Sequence, residues 1–210
     1  MKLWPRAAVL VGLMLIQCSK PESPPQQQAV STEDSPLLQQ LSNHRTVTGE
    51  HWAKTLQKMG EEPLPVGEGV KAARFAFLPT FDDAWVFQVD FSDAEVKLWV
   101  NCENSSRGTA VRVVEDPGAM VAQFHAVEAQ RLEPERPGGL DGDYWMLETS
   151  LNGAYHATDR WCPDTSNTEK RGLTALVAFC ETLIKQSGFA GEITCWGYYR
   201  FKHLTADAAH

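Results

Sequence analysis

The pair Asn152-Gly153, set between two runs of alternating apolar and polar residues, constrains the fold of this chain more than any other feature. Asn-Gly is the preferred central pair of a type I′ turn, in which both residues adopt positive φ and the flanking strands pair directly. The sequence therefore predicts an antiparallel hairpin of residues 143–151 and 154–161, with Leu151 opposite Ala154. Because side chains alternate along a strand, this register assigns each hairpin residue to one of two surfaces.

Three hairpin side chains are candidates for acid and base chemistry. Glu148 and Asp159 form a diagonal pair on one surface, about 7 Å apart, a spacing compatible with the paired carboxylates of glycoside hydrolysis. His156 lies on the opposite surface and is the third candidate. The alternative is a structural role, in which the carboxylates are semi-buried and paired with an arginine such as Arg74 or Arg112.

Two tryptophans and an arginine are candidates for contacts with a binding partner. Trp145 faces Arg160 across the hairpin, a pairing suited to cation–π stacking or, if exposed, to an interface hot spot. Trp99 projects from its strand on the face opposite the apolar side chains, where a large aromatic group would be exposed. The alternative for Trp99 is that a further layer, such as a helix over residues 48–59, covers it.

The remaining periodicity predicts an α+β domain. Apolar and polar residues alternate in four further stretches, which we expect to form a β-meander over residues 74–78, 84–91, 95–102 and 109–114. Asp116-Pro117 predicts the start of a helix. Ser166 and Glu169 form a capping box for a last helix that ends at Gly188. The order of elements favours an antiparallel β-meander plus the hairpin, with helices packed on one face.

The N-terminus has the pattern of an export signal. Lys2 and Arg6 precede ten apolar or glycine residues at 7–16, a stretch too short to span a bilayer. The end of this stretch, Leu15 to Ser19, resembles the lipobox of bacterial lipoproteins, which implies that Cys18 carries the lipid. Gln17 stands where that pattern has Gly, Ala or Ser, so a plain signal peptide that contains a cysteine is the alternative.

These features divide the chain into four predicted segments. Residues 1–17 are a signal peptide, and residues 18–36 form a lipid-anchored tether rich in Pro and Gln, too polar to build a core. Residues 37–66 are an N-terminal helical segment, and residues 67–205 form a single α+β domain. Ser19 resembles the sorting pattern of outer-membrane lipoproteins, so we expect a periplasm-facing protein anchored to a bacterial membrane, with the outer membrane favoured.

The remaining four cysteines are an even number, which suits two disulfides in an exported chain. Cys102 on the apolar face of its strand and Cys180 on the apolar stripe of the last helix are the favoured pair. Cys162 and Cys195 would then form the second pair. Buried thiols are the alternative, and the absence of C-x-x-C spacing argues against a metal site.

The net charge and the absence of familiar catalytic motifs argue against other functional classes of protein. The chain has 19 basic and 27 acidic side chains, a net charge of −8, and cleavage after Gln17 would remove two of the basic ones. No Lys/Arg cluster is present, so we expect no nucleic acid partner. Motifs such as a G-x-S-x-G elbow, an H-E-x-x-H pair or a G-x-G-x-x-G turn are missing, and we predict no cofactor.

The hairpin also carries a longer pattern. Residues 141–148 read D-G-x-x-W-x-L-E and residues 155–163 read Y-H-x-x-D-R-W-x-P. This pattern resembles a widespread set of uncharacterised bacterial proteins, and the resemblance implies no activity and no catalytic residue. That set has a serine where this chain has Cys162, which supports a disulfide particular to this exported version.

Three functional hypotheses follow. The favoured one is a non-enzymatic, lipid-anchored envelope protein that binds an envelope or toxin protein, for example as an immunity or inhibitor protein against a periplasmic toxin. The alternative is a cell-envelope hydrolase that uses Glu148, Asp159 and His156. A structural envelope component without a dedicated ligand also fits the sequence.

Overall fold

The computed structural model describes most of the chain beyond the N-terminal segment: residues 35–42, 49–92, 95–104, 106, 109–132, 135, 141–165, 167–195 and 197–209. The predicted signal peptide, Cys18 and the tether up to residue 34 lie outside the described residues, as does Ser166 of the predicted capping box. In the described part, no helix is long and apolar enough to cross a membrane.

Four α-helices and eight strands form the described part of the protein. The helices are α1 Pro36–Ser42, α2 Gly49–Lys58, α3 Pro117–Val127 and α4 Thr174–Ser187. The strands are β1 Lys71–Pro79, β2 Trp85–Asp90, β3 Lys97–Cys102, β4 Ala110–Val113, β5 Asp143–Leu151, β6 Ala154–Trp161, β7 Thr194–Cys195 and β8 Tyr198–Tyr199. Short 3₁₀ helices cover Ala129–Arg131 and Lys202–Ala209.

The strands β1 to β6 form one antiparallel sheet in the order β4-β3-β2-β1-β5-β6, and β7 pairs with β8 in a second small sheet. The meander runs outward from β1 to β4, and the β5–β6 hairpin joins the other side of β1. The predicted α+β class, with an antiparallel meander plus a hairpin, is therefore confirmed. Strand β1 lies inside the sheet, while β4 and β6 are its edges.

The hairpin has the predicted register. Leu151 lies opposite Ala154, and the pairing continues through Thr149 with His156. Asn152 and Gly153 have φ of 51° and 85°, the positive values that a type I′ turn requires. The local turn signal thus determined which hairpin residues share a surface.

The helices cover both faces of the sheet, whereas the sequence predicted helices on one face. On one face α3 and α4 pack over the main core, whose large side chains include Phe75, Phe87 and Trp145. On the other face α1 and α2 pack over a second cluster that contains Trp52 and Met146. Strand β1 explains why both faces are covered, because six consecutive residues, 72–77, are buried, as in a strand packed on both sides.

The predicted start of α3 is confirmed, and the predicted start of α4 is wrong. The side chain of Asp116 accepts a hydrogen bond from the backbone N–H of Ala119 and caps α3, as predicted. Helix α4 instead begins at Thr174, after Leu173, which provides no side-chain cap. The capping-box prediction was wrong here because the residues after Glu169 form turns, in which Gly172 has φ of +68° and the N–H of Leu173 donates to the carbonyl of Thr168.

Candidate binding surface

The α1–α2 pair covers only part of its sheet face. It packs over β1, β5, β6 and the edge of β2, where Ala76, Val86, Met146 and Ala157 are buried. On the same face of β3 and β4, by contrast, Trp99, Val111 and Val113 are 39, 56 and 59% exposed. We call these three side chains the open face. These are three of the seven large apolar side chains that are exposed in the described part of the chain.

The strand pairing places the open face in one continuous surface. Trp99 on β3 lies opposite Val111 on β4, and Lys97 lies opposite Val113. Directly opposite residues on one face of an antiparallel pair contact each other. The three apolar groups therefore form one patch beside a lysine, and they are not scattered surface residues.

A groove with a volume of 530 Å³ runs beside Trp99. Its wall is the segment between α2 and β1, with Glu61 and Glu62 at the middle. Its floor is formed by β2, β3 and the start of β4, and the floor residues are Val86, Gln88, Trp99, Val100, Asn101, Thr109, Ala110 and Val111. The groove thus combines a mainly apolar floor, with the polar residues Gln88, Asn101 and Thr109 in it, and a wall that contributes carboxylates.

Hydrogen bonds hold the wall of the groove in place. The side-chain amide of Asn101 donates to the carbonyl of Met59 at 3.1 Å and to the Glu61 carboxylate at 2.8 Å. The guanidinium of Arg74 donates through Nη1 to the carbonyl of Glu62 at 2.6 Å. Because Met59, Glu61 and Glu62 are each hydrogen-bonded to a side chain of the sheet, the groove is formed before any ligand enters it.

Arg74 also forms the central polar contact under α1 and α2. Its Nε donates to Glu148 Oε2 at 2.5 Å and its Nη2 donates to Oε1 at 2.8 Å, and both side chains are fully buried. Tyr155 donates its hydroxyl to Glu148 Oε1 at 2.6 Å. Burial alone would lower the pKa of Arg74, but the Glu148 carboxylate raises it above the ordinary value. This is the structural pairing that the sequence offered as the alternative to catalysis by Glu148.

The three candidate acid and base residues do not share a cleft. Glu148 and Asp159 lie on the α1–α2 side of the hairpin, and Asp159 is only 3% exposed. Burial, followed by the Asp159 carboxylate, raises the pKa of Tyr144. His156 is half-buried on the opposite surface of β6. A substrate could not reach all three groups at once, so the geometry does not favour the hydrolase hypothesis.

The predicted interface role of Trp145 and Arg160 requires exposed side chains. Both side chains are buried, so they are not interface contacts. Trp145 is 1% exposed and lies 5.2 Å from Phe75 and 5.7 Å from Phe201 between ring centroids. Arg160 is 4% exposed, and its Nη1 donates to Thr158 Oγ1 at 2.6 Å. Burial lowers the pKa of Arg160. Of the three binding candidates, Trp99 alone is exposed.

The four described cysteines are present as thiols. Cys102 and Cys180 both belong to the main core, while Cys162 and Cys195 line a common cavity of 380 Å³. Burial raises the pKa of Cys162 to about 11 and that of Cys195 to about 12. The predicted disulfides stay predictions. Within the described ranges, no cluster of three or more His, Cys, Asp or Glu side chains could hold a metal ion.

The sequence pointed to Trp99 but not to its neighbours. Val111 and Val113 are two residues apart in a predicted strand, which placed them on one face without showing whether that face was covered. The wall of the groove comes from residues 60–65, and its approach to the sheet depends on Arg74 and Asn101. A two-residue spacing of valines beside an outward tryptophan is the signal that could have found this surface.

Comparison of the chain with known protein families, with curated proteins and with solved structures found no match.

Proposed function

We propose that this protein is a non-enzymatic protein-binding module whose partner binds the open face and the adjoining groove. The observation that carries the proposal is the contiguous exposure of Trp99, Val111 and Val113 beside a groove that is already formed. Tryptophan is enriched among the residues that dominate binding energy at interfaces. A preformed groove also lowers the cost of ordering on binding.

The alternative hydrolase is less well supported. Glu148 has both oxygens engaged by Arg74, and one of them also accepts from Tyr155. A general acid or base must come within hydrogen-bond reach of its substrate, directly or through one water. A fully buried carboxylate beneath two helices does not meet that requirement, so a binding role fits the geometry better.

The proposed setting is the bacterial envelope. The signal-like segment before Cys18, the tether after it and the acidic composition support an exported, lipid-anchored domain that faces the periplasm. In that setting an immunity or inhibitor protein that binds a periplasmic toxin is one concrete form of the function. The net charge of −8 suits a partner of basic overall charge through faster electrostatically steered association.

Site-specific photo-crosslinking in the envelope of the producing organism tests this proposal. A photoreactive amino acid at Val111, which is exposed on the open face, is expected to yield one discrete adduct, identified by mass spectrometry. Trp99→Ala in the same protein is expected to abolish that adduct, because the indole supplies the largest apolar contact.

A matched control uses the same photoreactive residue at Lys170, an exposed position in the turns before α4. Adducts of equal yield at positions 111 and 170, or no adduct at position 111, would show that the open face is not a binding surface.

A further inference from the structure

Strand β4 is a free edge of the six-stranded sheet. It pairs with β3 on one side, and among the described residues no strand pairs with its other side. An edge strand presents a row of backbone N–H and C=O groups to which another extended chain can pair. The open face and this edge meet at Val111 and Val113, which belong to both.

The hydrogen-bond pattern shows which groups point outward. The N–H of Val114 donates to the carbonyl of Val96 at 3.1 Å, so those two residues form a hydrogen-bonded pair. In an antiparallel ladder such pairs alternate with pairs that are not hydrogen-bonded. Leu98 with Arg112 is then the next bonded pair, and the backbone groups of Val111 and Val113 point away from β3.

Arg112 lies between the two valines with its side chain on the other face of the sheet. It is exposed, and its Nε donates to the carbonyl of Ser187 at 3.3 Å, at the end of α4. Neither its Nη1 nor its Nη2 forms an ion pair within the described part of the chain. The edge therefore offers two apolar positions on one face and a cation between them on the other.

We infer that the partner binds β4 as an added β-strand whose sequence reads apolar, acidic, apolar; this inference rests on the proposed function. The two apolar residues lie beside Val111 and Val113 on the open face, and one of them reaches the mouth of the groove. The acidic residue lies beside Arg112, where opposite charges across a strand pair are stabilising. Backbone hydrogen bonds supply affinity in this binding mode, and alternate side chains supply specificity.

A second copy of this chain is a poor occupant of the same edge. The antiparallel register that uses the outward backbone groups of Val111 and Val113 in both copies places Arg112 directly opposite Arg112. Like charges in that position are destabilising. The charge on the edge thus selects against self-pairing and for a partner with a carboxylate.

Peptide binding tests the inference. Two capped synthetic peptides share a Thr-Val-X-Val-Thr core and differ only in X, which is glutamate or lysine. We expect the glutamate peptide to bind about tenfold more tightly, a difference that corresponds to roughly 1.4 kcal/mol, and to shift the amide signals of Val111 and Val113 in NMR titrations. Arg112→Glu is expected to reverse the preference.

Two changes isolate the backbone contribution. Val113→Pro removes an outward N–H but no hydrogen bond to β3, a position where an edge strand tolerates proline. It is expected to weaken binding of the glutamate peptide at least about tenfold, whereas Val113→Thr, which keeps the N–H, leaves binding within about threefold. N-methylation of the peptide valines repeats the test without any change to the protein, so misfolding cannot explain the loss.

Several outcomes would overturn the added strand. Equal binding of both peptides, no binding of either, or binding that survives both Val113→Pro and N-methylation would each do so. The envelope crosslink from position 111 separates this failure from failure of the proposed function. If the crosslink forms while the peptides fail, the open face binds its partner in another way; if the crosslink is missing, the proposed function itself is wrong.

Discussion

One sheet face has two halves that differ in what lies over them. In the half formed by β1, β5 and β6, the helices α1 and α2 bury Met146 and the Arg74–Glu148 ion pair. In the half formed by β3 and β4, Trp99 and Val111 stay exposed although they alternate in the same way. The covered half carries buried charge and the open half carries exposed apolar area. Strand periodicity specifies a face, and a separate element decides whether that face is core or surface.

The side chains of the covered half are suited to packing beneath two helices. The covered half has the small residues Ala76 and Ala157, which leave room for Trp52 to pack with no exposed area. Its charges are tolerated because Glu148 accepts three hydrogen bonds. The two halves are joined by Arg74, which binds Glu148 in one half and fixes the groove wall of the other.

The largest expected effect is the loss of stability when the buried ion pair is broken. Glu148→Ala leaves the Arg74 guanidinium buried without its carboxylate and is expected to lower the free energy of unfolding by about 3–5 kcal/mol. Urea unfolding measures it. The double variant Arg74→Met/Glu148→Leu is expected to recover most of that loss. A cost below about 1 kcal/mol for Glu148→Ala would mean that water reaches this pair.

A smaller loss is expected from a cavity in the covered half. Met146 has no exposed area, and Met146→Ala is expected to cost about 2–5 kcal/mol because the space beneath α1 and α2 cannot fully collapse. Met146→Leu, which conserves volume, is the matched control and should cost under about 1.5 kcal/mol. If both changes cost the same, the two helices do not pack tightly on the sheet.

The buried hydroxyl of Tyr155, in the covered half, should make the protein less stable at high pH. Burial, followed by the Glu148 carboxylate, raises the pKa of Tyr155 above its ordinary value near 10. Above about pH 10 the unfolded chain loses this proton while the folded protein keeps it, so stability decreases as pH rises, by roughly 1 kcal/mol between pH 10 and 11.

Burial also raises the pKa of the thiols of Cys162, Cys180 and Cys195, which act in the same direction and are present in both the wild type and Tyr155→Phe. Tyr155→Phe is therefore expected to flatten the slope of unfolding free energy against pH without removing it. Slopes that match between the wild type and Tyr155→Phe would show that the hydroxyl is not buried against Glu148.

The smallest stability change is expected in the open half. Trp99→Ala should alter the free energy of unfolding by about 1 kcal/mol or less, because the side chain is partly exposed, yet it should abolish the envelope crosslink. Val111→Thr is a milder change at the same patch. A loss above about 3 kcal/mol for Trp99→Ala would place this residue in the core.

The sequence predicted local structure well because those signals are local. Asn152-Gly153 determined the hairpin register, and Asp116-Pro117 determined the start of α3. The burial of Trp145 was not predictable in the same way, because it depends on Phe75 and Phe201, which are distant in sequence. The groove likewise depends on a tertiary contact. Lipidation at Cys18 and the envelope location stay predictions.

The pairing of β1 with β5 has a consequence for how the protein folds. The meander and the β5–β6 hairpin can each form from neighbouring segments, but joining them closes a long loop, since Arg74 and Glu148 are 74 positions apart. Distant pairings of this kind slow folding, because the entropy of loop closure is lost before the contacts form. We expect docking of β5 against β1 to be the slow step in forming the native sheet.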